Sequence, residues 1–389
     1  MKRIYLDHAA TTAVDREVVQ TMIPYFAETF GNASSLHSFG RDAMHALGAA
    51  RQTVADALGA ETGEIFFTSG GTESDNLALK GVETGHIITS LIEHPAILNT
   101  CRYLENHGCD VTYLPVDSGG LVDPGNIESA IRNDTKIISI MHANNEIGTI
   151  QPIAEIGTIA RDNGVLFHTD AVQSFGKTET DLQKMNIDML SLSSHKIYGP
   201  KGVGALYVRD GTEIEPLMHG GGHESGLRSG TENVAGIVGF AKAASLAIER
   251  FESDTRHLTN LREMLINGVM DTIDDVHLNG HPTKRLPNNV NLRFDFVEGE
   301  AMLLHLDLRG IAVSTGSACS SASKDPSHVL LAIGLAPENI HGSIRFTLGR
   351  ENTSEDIEYV LGVLPEIVGK LRAISPLVSK GSSRGSSSG

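Results

Sequence analysis

Between residues 64 and 208 the chain alternates short apolar runs with helix-period segments, and this alternation limits the possible folds more than any other feature. The runs at 86–90, 111–114, 136–142, 165–170, 188–193 and 204–208 are strand-length and bounded by polar or turn residues. Strands separated by helices return by crossovers, which lays them side by side and parallel. The expected class is therefore α/β, with a mostly parallel central sheet covered by helices.

The flanks are read the same way. Residues 4–12 predict a short strand and turn, 16–30 a helix, 31–37 a polar turn and 40–58 a second helix. After a glycine-rich loop at 220–230, long helices are expected over 234–250 and from about 256. Shorter strands at 289–294, 311–314 and 343–348 and a closing helix at 354–371 describe a smaller α/β domain. The expected division is a large domain over 13–255 and a small domain made of 1–12 with 256–375. The serine- and glycine-rich tail, 376–389, is expected to be disordered.

The chain has 389 residues and a net charge of −17, which argues against nonspecific binding to nucleic acid or an anionic membrane. Three cysteines without metal-ligand spacing, and no signal peptide, fit a cytoplasmic protein. No apolar run reaches the roughly 18 residues of a membrane span.

Three strand ends carry polar residues about one strand–helix unit apart: Asn144-Asn145, Asp170 and His195-Lys196. In open α/β sheets, ligands bind outside the carboxyl ends of the strands. Each residue alone is as well explained by a solvated loop; together they deliver an amide, a carboxylate and an amine to one rim. Thr68-Ser-Gly-Gly-Thr72 adds a glycine turn before a helix start, which suits an anion. Amine, carboxylate and phosphate cradle together suggest pyridoxal phosphate. The lysine would hold the aldehyde, the carboxylate would keep the ring nitrogen protonated, and the helix end would take the phosphate.

Two further features bear on a substrate. Cys319 lies in a small, polar stretch, 314–324, too poor in apolar residues to bury it. An ordinary thiol is about 3% thiolate at pH 7, yet that fraction is strongly nucleophilic. Arg345 interrupts the strand at 343–348, where it needs either a substrate carboxylate or a structural ion pair.

Several long stretches, in order, resemble pyridoxal-phosphate-dependent cysteine desulfurases of the IscS/NifS type, within the class V aminotransferases of fold type I. They are Tyr5-Leu-Asp-His-Ala-Ala-Thr-Thr12, Thr68-Ser-Gly-Gly-Thr-Glu-Ser-Asp-Asn76, Asn144-Asn-Glu-Ile-Gly148, His168-Thr-Asp-Ala-Val-Gln173, Ser193-Ser-His-Lys196, Arg228-Ser-Gly-Thr231, Gly316-Ser-Ala-Cys-Ser320 and Ile344-Arg-Phe-Thr-Leu-Gly-Arg350. The resemblance implies that Lys196 forms the internal aldimine and moves protons. Asp170 would pair with the pyridinium nitrogen, Gln173 with the ring hydroxyl, and His94 would stack on the ring and relay protons with a pKa near working pH. Gly71, Thr72, Ser193 and His195 would hold the phosphate, joined by Thr231 of a neighbouring subunit in a homodimer. Asn145 would touch cofactor or substrate, and Arg345 with Asn32 would hold the carboxylate of L-cysteine. Cys319 would take the sulfur as a persulfide, leaving L-alanine, and pass it to acceptors such as an IscU-like iron–sulfur scaffold protein, with which it could share a cluster as a metal ligand. A related enzyme with the same cofactor, a selenocysteine lyase or an aminotransferase, is the alternative. Gly71 stands where alanine is usual, Ala33 replaces a usual proline, and Ala322 a usual glycine.

Overall fold

The computed structural model describes residues 2–316 and 326–375. The chain begins with β1 (Ile4–Tyr5), α1 (Arg16–Met22), α2 (Pro24–Ala27) and α3 (Ser38–Leu58). The alternating region follows as β2 (Ile65–Thr68), α4 (Gly71–Lys80), β3 (His86–Ser90), α5 (Pro95–Glu105), β4 (Asp110–Leu114), α6 (Pro124–Ala130), β5 (Thr135–Ser139), α7 (Ile153–Asp162), β6 (Leu166–Asp170), β7 (Met189–Ser193) and β8 (Gly204–Val208). Next come α8 (Val234–Glu249), α9 (Phe251–Thr272), β9 (Val276–Leu278), β10 (Asn289–Phe294), α10 (Gly299–Asp307) and β11 (Ile311–Ala312). The described chain closes with α11 (His328–Ala332), α12 (Pro337–Ile340), β12 (Ser343–Thr347) and α13 (Ser354–Ile374).

The helix expected over 16–30 is broken. Pro24 has no N–H to continue α1 and instead starts α2 at its first position. The helix expected from about 256 already begins at Phe251, one residue after the Arg250 cap of α8.

The large sheet has seven strands in the order β2-β8-β7-β6-β5-β3-β4. β4, β3, β5, β6 and β7 pair in parallel, while β8 is antiparallel to both its neighbours. The reversal has a local cause. No crossover helix separates β7 from β8, only a short turn (Ser194–Lys196) and a loop, so the chain comes straight back. Strand order changes direction between β3 and β5, and a ligand crevice is expected at such a point.

α3, α8 and α1 cover one face of this sheet around Val54, Phe167, Leu192 and Phe240. α4 and α5 cover the other around Leu77, Ile87, Ile97 and Leu206. A separate core joins the antiparallel sheet β12-β10-β9 to α9, α10 and α13. Along α13, Ile357, Val360, Leu364, Ile367 and Leu371 turn inward at helical spacing. Each such side chain contributes about 1.5–3 kcal/mol by leaving water. Ile4 and Leu6 belong to this second core, because β1 pairs in parallel with β11. Residues 4–6 thus pack with the last described helix, α13, and the segment that follows them reaches across to the large sheet.

Candidate active site

β7 is buried at all five positions and ends in the turn that carries Lys196. The N-terminal segment stitches that turn in place. Thr12 donates through its N–H (3.0 Å) and hydroxyl (3.1 Å) to the His195 carbonyl, and the Tyr198 N–H returns a bond to Thr12 Oγ1 (2.8 Å). The Lys196 amine donates to the carbonyls of Ala9 (2.6 Å) and Ala10 (2.8 Å). Gln173 Nε2 also donates to the Ala9 carbonyl, at 3.0 Å.

A cavity of about 190 Å³ opens over these groups. Its wall contains Gly71, Thr72, His94, Asn145, Asp170, Gln173, Ser193, His195, Lys196 and Arg345, ten of the thirteen residues singled out from the sequence. Of the other three, Asn32 and Thr231 are exposed and do not line it. Asn32 instead caps its own turn, accepting the Ser34 N–H at 2.9 Å. Cys319 lies outside the described residues. The strand leading toward it is tied to the cavity wall, since Ser314 and Arg345 exchange backbone hydrogen bonds of 3.2 and 2.7 Å.

At one end of the cavity α4 starts after Gly70, a glycine at φ +151 that offers no side-chain cap to the helix's first N–H groups. A Cβ on Gly71 would sit 2.6 Å from Val172 Cγ2, so glycine at this position keeps the helix start close against the strand end. Glu73, in the first turn, is turned aside and held below the usual carboxylate range, burial notwithstanding, by Arg228 and Ser69.

At the other end lies Asp170, the last residue of β6. Its Oδ1 accepts the Val172 N–H at 2.9 Å. Burial pushes its carboxyl up to about 6, against the opposing pull of that hydrogen bond and of the Lys196 charge. A second carboxyl, Asp75, shares the cavity wall. Burial first, and then the neighbouring Asp170, push it well above the ordinary range. Asp75 Oδ1 is buried without a hydrogen-bond partner among the described residues. His168 Nε2, 3.8 Å away, gives no counter-charge, because burial pushes that imidazole down to about 3. Nearby Glu93, holding the Met141 N–H and the Ser90 hydroxyl, is pushed up to about 8, chiefly by burial.

A carboxyl raised by folding stabilises the fold below its unfolded pKa near 3.8 and loses that contribution as the pH climbs through the folded value. Asp75→Asn removes such a group without changing its shape. The cofactor-free variant is expected to be more stable than the parent at pH 8 and to differ little from it at pH 4. Urea denaturation at the two pH values checks this; the same shift at both would mean that Asp75 is not held protonated.

Two sequence expectations change here. His94 is not a group titrating near neutrality. Burial, then the charges of Lys196 and His328, push it down to about 4. Its Nδ1 accepts the Ala96 N–H at 3.1 Å as the cap of α5, which places the ring proton on Nε2. Arg345 is 1% exposed and takes the structural ion pair, while still lining the cavity. It pairs with Asp7 (2.8 Å) and donates to the Asn145 carbonyl (2.9 Å), while its Nε has no partner among the described residues. Asn144, grouped with Asn145 in the sequence, is architectural: it donates to the Ile92 carbonyl and accepts from Glu146 and Ile147.

Sequence reasoning missed the anchoring carbonyls of Ala9 and Ala10, and it missed Asp75. Asp75 had a signal: it falls on the inner face of α4 with Gly71, Ser74 and Ala78, where a carboxylate is costly.

The arrangement can hold an aldehyde-bearing phosphate ester. It offers one amine, a helix start kept clear of side chains, and a carboxyl pair for a ring nitrogen. Comparison with known proteins agrees. Residues 4–360 match the family described as Aminotransferase class-V. The chain is 57% identical over 385 residues to the cysteine desulfurase IscS of Methanosarcina thermophila, covering 97% of this chain and 95% of that protein. It is 55% identical to the cysteine desulfurase IscS of Dictyoglomus turgidum, covering 97% of each. Among solved structures, a NifS-like protein superposes with a TM-score of 0.89 at 41% identity, covering 95% of this chain and all of that one. SspA in complex with cysteine superposes at 0.80 with 42% identity, covering 89% and 99%. With the matching stretch spanning nearly the whole described chain, the protein belongs to the cysteine desulfurases of the class V aminotransferase family, enzymes of fold type I that work with pyridoxal phosphate.

Proposed function

We propose that this protein removes sulfur from L-cysteine, releasing L-alanine and leaving the sulfur as a persulfide on Cys319. The observation that carries the reading is the convergence of Lys196, Asp170 and the open start of α4 on one cavity that also contains a buried arginine. When bound, pyridoxal phosphate supplies an electron sink for the bonds broken at the substrate carbons.

The chain's own residues do the rest. Gly71, Thr72, Ser193 and His195 hold the phosphate. Asp170 would offer its charge to the ring nitrogen, Gln173 would reach the ring hydroxyl, and Asn145 would touch cofactor or substrate. Lys196 would hold the cofactor's aldehyde group, and its amine would move protons at the substrate. His94 enters neutral, with its proton on Nε2. It therefore serves as a stacking wall and a hydrogen-bond donor, and becomes a proton carrier only when a neighbouring negative charge raises its affinity. Arg345 directs its unpartnered Nε–H and its charge at the substrate carboxylate. The Cys319 thiolate forms an S–S bond to the substrate sulfur as the C–S bond breaks. The carbon framework keeps the electron pair and takes up a proton, so cysteine and thiol become alanine and persulfide.

Two chains complete the site in this reading. Asn32 and Thr231 are too exposed to serve their own cavity, and Ile23, Phe26, Phe30, Leu36 and Phe39 form an exposed apolar region about Asn32, with Leu36 92% exposed. Such a region suits a homodimer interface. We further assign 13–255 to a large domain and 1–12 with 256–375 to a small one, as the two separate cores favour. The acceptor is a partner such as an IscU-like iron–sulfur scaffold, and Cys319 could ligate a cluster shared with it. The setting is the cytoplasm; no helix among the described residues is long and apolar enough to cross a membrane.

The test is mass spectrometry of the protein after incubation with L-cysteine. One added sulfur is expected on the Cys319 peptide, and none in Cys319→Ala, which should still bind the cofactor. Sulfur release at the parent rate by Cys319→Ala would overturn the persulfide route.

A further inference from the structure

The glycine-rich loop before α8 is strained where no role above requires it. Glu224 (φ 47) and Ser225 (φ 54) are adjacent non-glycine residues in the left-handed region, and Gly226 (φ 87) follows them. Such backbone persists only where its surroundings enforce it, and it gathers at functional sites. Here a buried carboxylate does the enforcing. Arg51 of α3 donates to both oxygens of Glu224, at 2.6 and 2.7 Å, and its guanidinium lies over the Phe67 ring, 4.8 Å from the centroid. The Phe67 N–H adds a third bond to Glu224, at 2.8 Å. The loop is thereby pinned to β2, the strand that leads through a two-residue turn into α4.

Four residues further on, Arg228 grips the other side of that turn. Its Nε donates to Glu73 Oε1 at 2.8 Å and its Nη2 to Oε2 at 3.4 Å, while the Ser69 N–H donates to the same Oε2 at 2.8 Å. Glu73 is the acidic residue of the first turn of α4 and is partly buried. Burial favours its neutral form, but the hydrogen bonds from Arg228 and Ser69 outweigh that and keep it ionised. A carboxylate in a helix's first turn is attracted by the same N–H groups and dipole that attract a bound anion. Left without a counter-charge, it would also repel a phosphate there, with only partial screening by solvent.

We propose that Arg228 is a positioning residue for the phosphate site: it neutralises Glu73 and holds that carboxylate aside, leaving the first N–H groups of α4 to the cofactor's phosphate, while the Arg51–Glu224 clamp fixes the loop that brings Arg228 there. The inference rests on the reading above that the start of α4 takes the phosphate.

The test compares two probes on cofactor-free protein, by absorbance titration at low salt: pyridoxal phosphate, and pyridoxal, which has the same ring and aldehyde without the phosphate. Both present the same aldehyde to the protein, so the ratio of their dissociation constants isolates the factor by which the phosphate tightens binding. Arg228→Met is expected to cut that factor about tenfold, the size of effect that follows loss of an orienting partner, and to leave pyridoxal binding as it was. Arg228→Met combined with Glu73→Gln should return the factor to the parent's value, because no unopposed carboxylate is left. A parent-like factor in Arg228→Met would overturn the proposal. So would a double variant as weak as Arg228→Met, which would reduce Arg228 to a structural brace. If Arg228→Met does not fold, Glu73→Gln alone decides: its unopposed guanidinium should raise the factor, and an unchanged or lower factor overturns the proposal. Thr72→Val is the separate control; a factor that survives it intact removes the phosphate from this helix start, whatever Arg228 does.

Discussion

Lys196→Ala protein is expected to bind pyridoxal phosphate without becoming covalently attached to it. Borohydride should then fix no cofactor to the chain, and sulfur release from L-cysteine should fall by at least about 10²–10⁴-fold, the range associated with a lost proton-transfer group. The phosphate end of the cavity does not involve the Lys196 side chain, so reversible binding should persist and be visible as a shifted absorbance band. The competing amine is Lys201, but it is exposed and does not line the cavity. A borohydride-fixed peptide containing Lys201 in place of Lys196 would reject the placement. The side chain also ties the lysine turn to the Ala9 and Ala10 carbonyls. Cofactor-free Lys196→Ala should therefore melt earlier than the parent, since the Ala10 carbonyl loses this donor, at a cost of about 1–3 kcal/mol, while Ala9 keeps that of Gln173.

The second large effect concerns Arg345. Its guanidinium is enclosed and paired with Asp7, which is itself only partly accessible. Removing one partner of a buried pair leaves the other charge uncompensated, at a cost of about 3–5 kcal/mol. Arg345→Met is expected to lower the urea midpoint accordingly. Asp7→Asn with Arg345→Met together should recover part of that loss, because neither charge is then stranded. Stability and substrate binding separate in the kinetics. In the double variant KM for L-cysteine should stay high even where the fold is restored, because the cation for the carboxylate is gone. A double variant with the parent's KM would leave Arg345 with the Asp7 pair as its whole purpose.

Much of this arrangement was legible in the sequence, for identifiable reasons. The strands at 86–90 and 204–208 match β3 and β8 because strands buried on both faces are written as apolar runs with abrupt polar ends, and 289–294 matches β10 because Val290, Leu292 and Phe294 alternate with polar residues. Lys196, Asp170 and Asn145 converge because residues just past successive parallel strands share one rim. What could not be read depends on partners distant in sequence. The reversed direction of β8 follows from a connection too short to cross over. The low proton affinity of His94 comes from the burial that packing imposes. Asp75 acquires meaning only beside Asp170. Asn32 and Thr231 are exposed and do not line the cavity of their own chain, which no strand pattern would reveal.

The stitching of the lysine turn by residues 9–12 has a consequence for how the protein is made. Ala9 is in turn held by Thr347, whose hydroxyl accepts its N–H at 2.9 Å, and His8 donates to the Thr347 carbonyl at 3.1 Å. Residues 9–12 leave the ribosome long before β12, yet they reach their seat only once that strand has emerged. The wide sheet can form beforehand, but a nascent chain cannot finish its reactive pocket until β12 has been made, so coenzyme loading waits for that strand.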